Sequence, residues 1–281
     1  MHTIKLSIKP ALGLLAAVSL FVISCQKKFD ANSYKPAESF GGYSAANQIE
    51  SGALVAHFAF ENTLLDSVSN TTANGFGTGF GTGVKGKALQ VGLNNYAIFP
   101  TTQAVQSLQS MTVSFWMTTS ENAAGIQEAV CFVNGKEFWG NFDMFLDGQA
   151  TDTAVIKFHV WNTATSADEW MTSWILRNRW SVWTQFVLTY DATTSMFTYY
   201  QNGSAVGTST FANAGPLNFA NFPDIVMGTT QFTTVPDLTT NTGPQSWASY
   251  LLGSIDELRI YNKALSGSEV LSLYQLENYG F

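Results

Sequence analysis

Residues able to do chemistry are sparse in this chain, and the informative ones are carboxylates and tryptophans. Asp256 lies in Leu252-Gly-Ser-Ile-Asp-Glu-Leu-Arg-Ile-Tyr-Asn262. Alternation along a strand puts Leu252, Asp256, Leu258 and Ile260 on one face, with Glu257 and Arg259 on the other, where they can pair in water. An apolar face points at a core, and a carboxylate there is costly unless it is hydrogen-bonded, paired or bound to a metal. Asp256 is therefore expected either to hold a cation or to accept backbone N–H bonds. The tryptophans pose a second question, because six of the eight fall between 139 and 183. Sugar rings present flat C–H faces edged by hydroxyls, so a sugar site combines an exposed aromatic face with amide, carboxylate or Arg groups. Trp161-Asn162, Asp168-Glu169-Trp170, Trp174 with Arg177, and Trp139 beside Gly140-Asn141 offer that mixture. Trp139, Trp161, Trp170, Trp174 and Arg177 are the candidate ligand-binding residues. The competing role for each tryptophan is the core, which is where Trp116 and Trp183 are expected.

Catalytic patterns are weaker. Glycoside hydrolysis needs two carboxyl groups about 5–5.5 Å apart for retention or about 6.5–9.5 Å apart for inversion. Asp143 and Asp147 are four residues apart with the second expected in a turn, and Asp168-Glu169 and Asp256-Glu257 are adjacent, so each pair would point to opposite strand faces. His57 and His159 stand alone in strand-like runs, and no Cys/His zinc spacing is present. Cys131, within Ala129-Val130-Cys131-Phe132-Val133, is expected to be a buried, inert thiol. No catalytic residue is assigned, although distant carboxylates can converge in a fold.

The elements that must position these residues are strands. Of 281 residues, 46% are hydrophobic, 14% aromatic and 12% charged, against about 25% charged in an average soluble domain. A disordered chain is excluded. The net charge of −7 argues against a nucleic-acid partner, whose phosphates call for basic residues. From residue 54 onward the period is two: Val113, Phe115 and Met117 alternate with Thr112, Ser114 and Thr118, and Phe186, Leu188 and Tyr190 with Gln185 and Thr189. Asn202-Gly203 and Asp147-Gly148 read as tight hairpin turns. About a dozen such strands predict an all-β, two-sheet antiparallel sandwich or jelly roll. The alternating glycines of Asn74–Gly83 read as a loop or an edge strand. One helix is predicted over 267–275, where Ser266 and Glu269 form a Ser-x-x-Glu capping box.

The first 24 residues read as an address. Lys5 and Lys9 precede the apolar run Ala11–Ile23, and Val22-Ile23-Ser24-Cys25 resembles a bacterial lipobox with lipid on Cys25. Residues 25–50 are expected to be a flexible tether from the membrane, and 51–281 the domain. Cleavage would remove Lys5 and Lys9 from the 13 basic residues and leave 11 against 20 acidic ones. The compartment expected is a bacterial cell envelope, on the periplasmic or surface side of the outer membrane.

Two segments carry a family likeness: Trp183-Thr-Gln-Phe-Val-Leu-Thr-Tyr-Asp191 followed by Phe197–Gly203, and Gly253–Asn262 followed by Ala264-Leu-Ser and the helix. With Leu54–Phe60 and Gly86-Lys-Ala-Leu89 they resemble the laminin-G-like, concanavalin A-like jelly-roll domains of secreted bacterial proteins, over about residues 50–281. Gln185 departs from the pattern, where the family often has histidine. The resemblance implies a structural calcium held by Asp256 with oxygens from the turn after the first strand, here Asp66 and Asn62. It also implies three function classes. The leading expectation is non-catalytic binding of a polysaccharide or oligosaccharide. The alternatives are a glycoside hydrolase or lyase, and a structural or protein-binding envelope component.

Overall fold

The computed structural model describes residues 39–281, with side chains left aside at 172 and 173. The expected signal segment, the lipid site Cys25 and the tether as far as 38 lie outside the described residues. In chain order the strands are β1 (Leu54–Phe58), β2 (Asn74–Phe76), β3 (Gly79–Thr82), β4 (Lys87–Val91), β5 (Tyr96–Pro100), β6 (Met111–Thr119), β7 (Ile126–Phe132), β8 (Phe142–Ala150), β9 (Thr153–Asn162), β10 (Ala167–Arg177), β11 (Thr184–Asp191), β12 (Met196–Gln201), β13 (Ser204–Thr210), β14 (Asp224–Met227), β15 (Ala248–Tyr250) and β16 (Gly253–Tyr261). A single helical turn, α1 (Gln103–Gln106), precedes β6, and α2 (Gly267–Asn278) follows β16. Among the described residues no helix is long and apolar enough to cross a membrane.

The strands form two sheets of eight. Sheet one runs β13-β12-β11-β6-β16-β4-β3, with β1 pairing antiparallel to β16. Sheet two runs β10-β9-β8-β7-β14-β5-β2, with β15 parallel to β7. The glycine-alternating stretch supplies an edge strand to each sheet, β2 and β3. Glycines weaken an interior strand but are tolerated at an edge. The expected alternation sets the core. Val113, Phe115 and Met117 from sheet one meet Phe142, Met144, Leu146, Ile156, Phe158 and Val160 from sheet two in one apolar cluster.

Three local readings change. Asp147-Gly148 is no hairpin turn: it lies inside β8, and Gly148, at φ +51°, sits at a bulge between Asp147 and Ala150. Residues 40–49, read as tether, pack on the domain. Ala46 and Ile49 are buried against Tyr261, Val270 and Leu273, and Phe40 stacks on Tyr279 at 5.3 Å. Their apolar side chains cover sheet one, which a solvated tether could not do.

The third change concerns Asp256, which faces away from the core. A bulge between Asp256 and Arg259, with Glu257 at φ +48°, inserts one residue and reverses the alternation. Ile255 and Leu258 point inward. Asp256 is level with Trp116, whose ring stacks 5.4 Å from Tyr274 of α2. Nor do Glu257 and Arg259 pair in water, because α2 and the 40–49 segment bury both. There Arg259 donates to Glu277 Oε1 at 2.7 Å, Glu257 Oε2 at 2.6 Å and Asn47 Oδ1 at 2.7 Å. Trp116 Nε1 also reaches Glu277, at 2.7 Å. The expected capping box is formed: Ser266 accepts from the Glu269 amide, and Glu269 accepts from the Ser266 amide.

Candidate functional site

Register across four strands of sheet two builds a line of functional side chains on the face away from the core. Cys131 of β7 is opposite Asp143 of β8, Asp143 opposite His159 of β9, and His159 opposite Trp170 of β10. Their inward neighbours are core residues, so pleating turns all four outward. His159 Nδ1 is 2.7 Å from Asp143 Oδ2 and its Nε2 is 2.8 Å from Asp168 Oδ1. Burial works against an imidazolium here, but the two carboxylates outweigh it and raise the His159 pKa to about 9. The ring packs against Trp170 with centroids 4.5 Å apart and planes tilted by 32°. Two histidines that stand alone in the sequence thus acquire carboxylate partners in space, since His57 Nε2 lies 2.8 Å from Glu257 Oε2.

Above this line opens a cleft of about 550 Å³, within the range of small-molecule sites. Its aromatic side is made by Trp139, Phe145, Trp170 and Trp247. Trp139 lies parallel to Phe145 at 5.2 Å, edge-on to Trp170 at 5.2 Å and 5.8 Å from Trp247. Trp170 is 36% exposed and Trp247 42%, so both keep surface for a ligand. The polar side comes from Asn122, Gln149, Asp147 and Lys157. The two amides are committed to the wall: Asn122 donates to Ser249 and Tyr250, while Gln149 accepts from Asn122 and Gln127. Asp147 and Lys157 pair at 2.5 Å and remain partly exposed. They are the cleft's partly exposed charged side chains, able to exchange hydrogen bonds with a molecule that enters it. A neighbouring hollow of about 190 Å³ shares Trp139 and is lined by Trp161, His159 and Asp168.

The five candidate ligand residues therefore separate. Trp139 and Trp170 share the main cleft, and Trp161 lines the hollow beside it. Trp174 is a core residue, 9% exposed. It packs on Tyr199 at 5.5 Å and donates to Gln201 Oε1 at 2.9 Å. A bulge between Met171 and Trp174 causes this: the extra residue turns Trp174 inward, although an unbroken strand would place it beside Trp170. Arg177 is exposed opposite Thr153 at the end of β10 and lines neither cavity. Trp247 was not among the candidates. It comes from the connection before β15, far from the tryptophan-rich stretch, and only tertiary packing brings it to the cleft.

The three expected calcium ligands do not assemble around a cation. Asp256 Oδ2 accepts from the amides of Val84 and Lys85 at 2.8 and 3.2 Å, and Oδ1 from that of Glu257 at 2.9 Å. Burial still raises its carboxyl pKa to about 8. Asp66 accepts from the amides of His57 and Val68 and from the Ser69 hydroxyl. Asn62 is exposed at φ +55°, and among the described residues no hydrogen bond joins it to either carboxylate. Calcium takes six to eight oxygens around one point, but Asp256 is held by the amides of Val84, Lys85 and Glu257 and Asp66 by those of His57 and Val68, with no partner in common. This donor set does not fit calcium.

The sequence profile of the concanavalin A-like lectin/glucanases superfamily matches residues 91–271. The chain belongs to that superfamily. No curated protein matches it. Solved structures with the concanavalin A-like fold align with most of it. The binding domain of Paraclostridial Mosquitocidal Protein 1 aligns at TM-score 0.60 and 16% identity, covering 79% of this chain and 52% of its own. The binding domain of botulinum neurotoxin serotype G gives 0.59 and 16%, covering 79% and 51%. This chain spans about half the length of these two toxin domains. Domain 4 of AbnA, a GH43 extracellular arabinanase from Geobacillus stearothermophilus solved with arabinotriose, gives 0.53 and 21%, covering 79% of this chain and 98% of its own. At such identities the likeness establishes the concanavalin A-like fold.

Proposed function

We propose that this protein is a non-catalytic glycan-binding module, held at a bacterial cell envelope by lipid on Cys25. The observation that carries the binding reading is the cleft of Trp139, Trp170 and Trp247 with Asp147 and Lys157 on its rim. Aromatic faces cover the C–H face of a sugar ring, and the ion pair exchanges hydrogen bonds with its hydroxyls. The walls are already stapled by Asn122 and Gln149, so little ordering opposes binding. Support also comes from relatives of the fold: the AbnA domain was solved with arabinotriose, and a botulinum neurotoxin serotype D ligand-binding domain with N-acetylneuraminic acid. The lectin reading is favoured over the hydrolase reading by where the carboxylates lie. Glu128 and Asp143 are close together but buried to within 1%, out of reach of a glycan. The main cleft is lined by the single carboxylate Asp147. Of the two carboxylates on the hollow beside it, Glu137 and Asp168, Asp168 is engaged by His159 at 2.8 Å.

The test is calorimetric titration with a panel of arabinan, other plant and bacterial glycans and sialylated oligosaccharides, with a reducing-sugar assay on the same panel. Saturable binding without release of reducing ends is expected. Turnover of any glycan would favour the hydrolase reading, and no heat with any of them would favour a protein-binding role. For the anchor, labelling with a radioactive fatty acid in a bacterial host should mark the wild-type chain and not Cys25→Ala; equal labelling of the two would remove Cys25 as the lipid site.

A further inference from the structure

We propose that Glu128, Cys131 and Asp143 form a site for one divalent transition-metal ion of the zinc type, beneath the aromatic cleft and separate from it. One carboxylate oxygen from each acid and the Cys131 sulfur lie within 4.8 Å of one another. All three residues are buried, and Glu128 has no measurable exposure. The decisive feature is Glu128 itself: neither side-chain oxygen meets an N–H or hydroxyl donor, and its charged neighbour is the Asp143 carboxylate, so burial and that charge push its carboxyl pKa up. A buried carboxyl set against a second carboxylate with no cation or N–H donor beside it is a costly arrangement that a metal ion would relieve.

The surroundings suit an ion of this class. Gly140 borders the cluster: a Cβ there would fall 2.5 Å from the Phe132 carbonyl oxygen and 3.0 Å from both Cys131 Sγ and Asp143 Oδ1, so the close approach of the Phe132 backbone already calls for glycine at this wall. Asp143 is oriented by the Gly140 amide at 3.1 Å and by His159 at 2.7 Å, the kind of outer support that metal-binding carboxylates receive. A thiolate with two carboxylates selects zinc-like ions over calcium or magnesium, which take oxygen alone. Bonds of about 2.3 Å to sulfur and about 2.0 Å to oxygen bring tetrahedral ligands to about 3.5 Å from each other, so atoms already within 4.8 Å of one another need only small side-chain shifts to close on an ion. Charge balances on uptake. The ion displaces one proton from the Cys131 thiol and one from the Glu128 carboxyl, both released to solvent, and two positive charges replace two.

The experiment uses the full chain carrying Cys25→Ser, so that Cys131 is its one thiol, after treatment with chelator. Cobalt(II) is titrated in and then displaced by zinc(II). The expected result is one cobalt per chain, a thiolate-to-cobalt charge-transfer band, and loss of that band with one equivalent of zinc. Cys131→Ser should abolish the band, and Glu128→Gln should weaken metal binding at least about tenfold, with near-ultraviolet circular dichroism checking that each variant is folded. If either variant fails to fold, the parent decides: zinc should shield Cys131 from a thiol reagent. Absence of the band and of shielding in the parent overturns the site and leaves a proton shared between Glu128 and Asp143. Unchanged cobalt binding in both folded variants overturns it equally.

Discussion

Both sheets carry ionisable residues on the side away from the core, but their covers differ. On sheet one, α2 and the 40–49 segment bury Arg259 among Glu257, Glu277 and Asn47, and His57 completes the set. Each charge there has an opposite charge in contact. On sheet two the connections around Trp139 and Trp247 leave a cleft open, hold His159 between two carboxylates and leave Glu128 unpartnered. A buried pair is strongly destabilising to break yet contributes little beyond a well-packed apolar substitute. The first face therefore reads as a seal, and the second, which keeps an open cleft, as the working surface.

The largest effects should come from the seal and the core. Arg259→Met leaves Glu257 and Glu277 buried without their cation and is expected to cost about 3–5 kcal/mol in urea unfolding. Tolerance within about 1 kcal/mol would break the distinction between the faces. Trp174→Ala is expected to cost about 3–5 kcal/mol as a core truncation, whereas Trp170→Ala, on the same strand, should stay below about 1 kcal/mol because its ring is already partly in water. Equal losses would return Trp174 to the binding site or Trp170 to the core.

A middle-sized effect tests the charge on sheet two. His159 has a folded-state pKa of about 9, above its unfolded value of about 6.5. Its stabilisation is thus complete below about pH 6.5 and is lost as pH rises toward 9. The stability difference between wild type and His159→Gln should be about 2–3 kcal/mol at pH 6 and shrink by pH 9.5. Asp256, pushed up to about 8, also lowers stability as pH rises, but it does so in both proteins and cancels in the difference. A difference flat across that range would mean that His159 is neutral. Smaller still, Trp170→Ala and Trp247→Ala should each weaken glycan binding about tenfold, or about 1.4 kcal/mol, with little change in Tm. Unchanged affinity in both would move the site elsewhere. The smallest effect expected is none: calcium added to chelator-treated protein should leave Tm where it was, and a rise would reopen Asp256 as a ligand.

Most of the fold was legible because it rests on local patterns. Period-two runs, the Asn202-Gly203 turn and the Ser266/Glu269 capping box each need only neighbouring residues. Two of the misplaced side chains, Asp256 and Trp174, fail for one reason. A single inserted residue at a bulge reverses every assignment beyond it, and no residue type near 171–174 or at Glu257 announces the insertion. The site was half legible. Trp139 and Trp170 were found from aromatic and polar neighbours, but the line from Cys131 through Asp143 and His159 to Trp170 depends on the register of four strands. Trp247 arrives through a connection whose path is set by packing, and Glu128 is defined by a missing partner, which only coordinates reveal.

The pairing of β1 with β16 has a consequence for how the chain acquires its shape. Sheet one cannot close until residues 253–261 are present, and its seal needs α2 as well, so the earliest strand waits for nearly the whole sequence. Contacts so distant along the chain slow folding. A newly made chain therefore stays open until late, and truncation before Gly253 should yield a collapsed, aggregation-prone species rather than a smaller working domain.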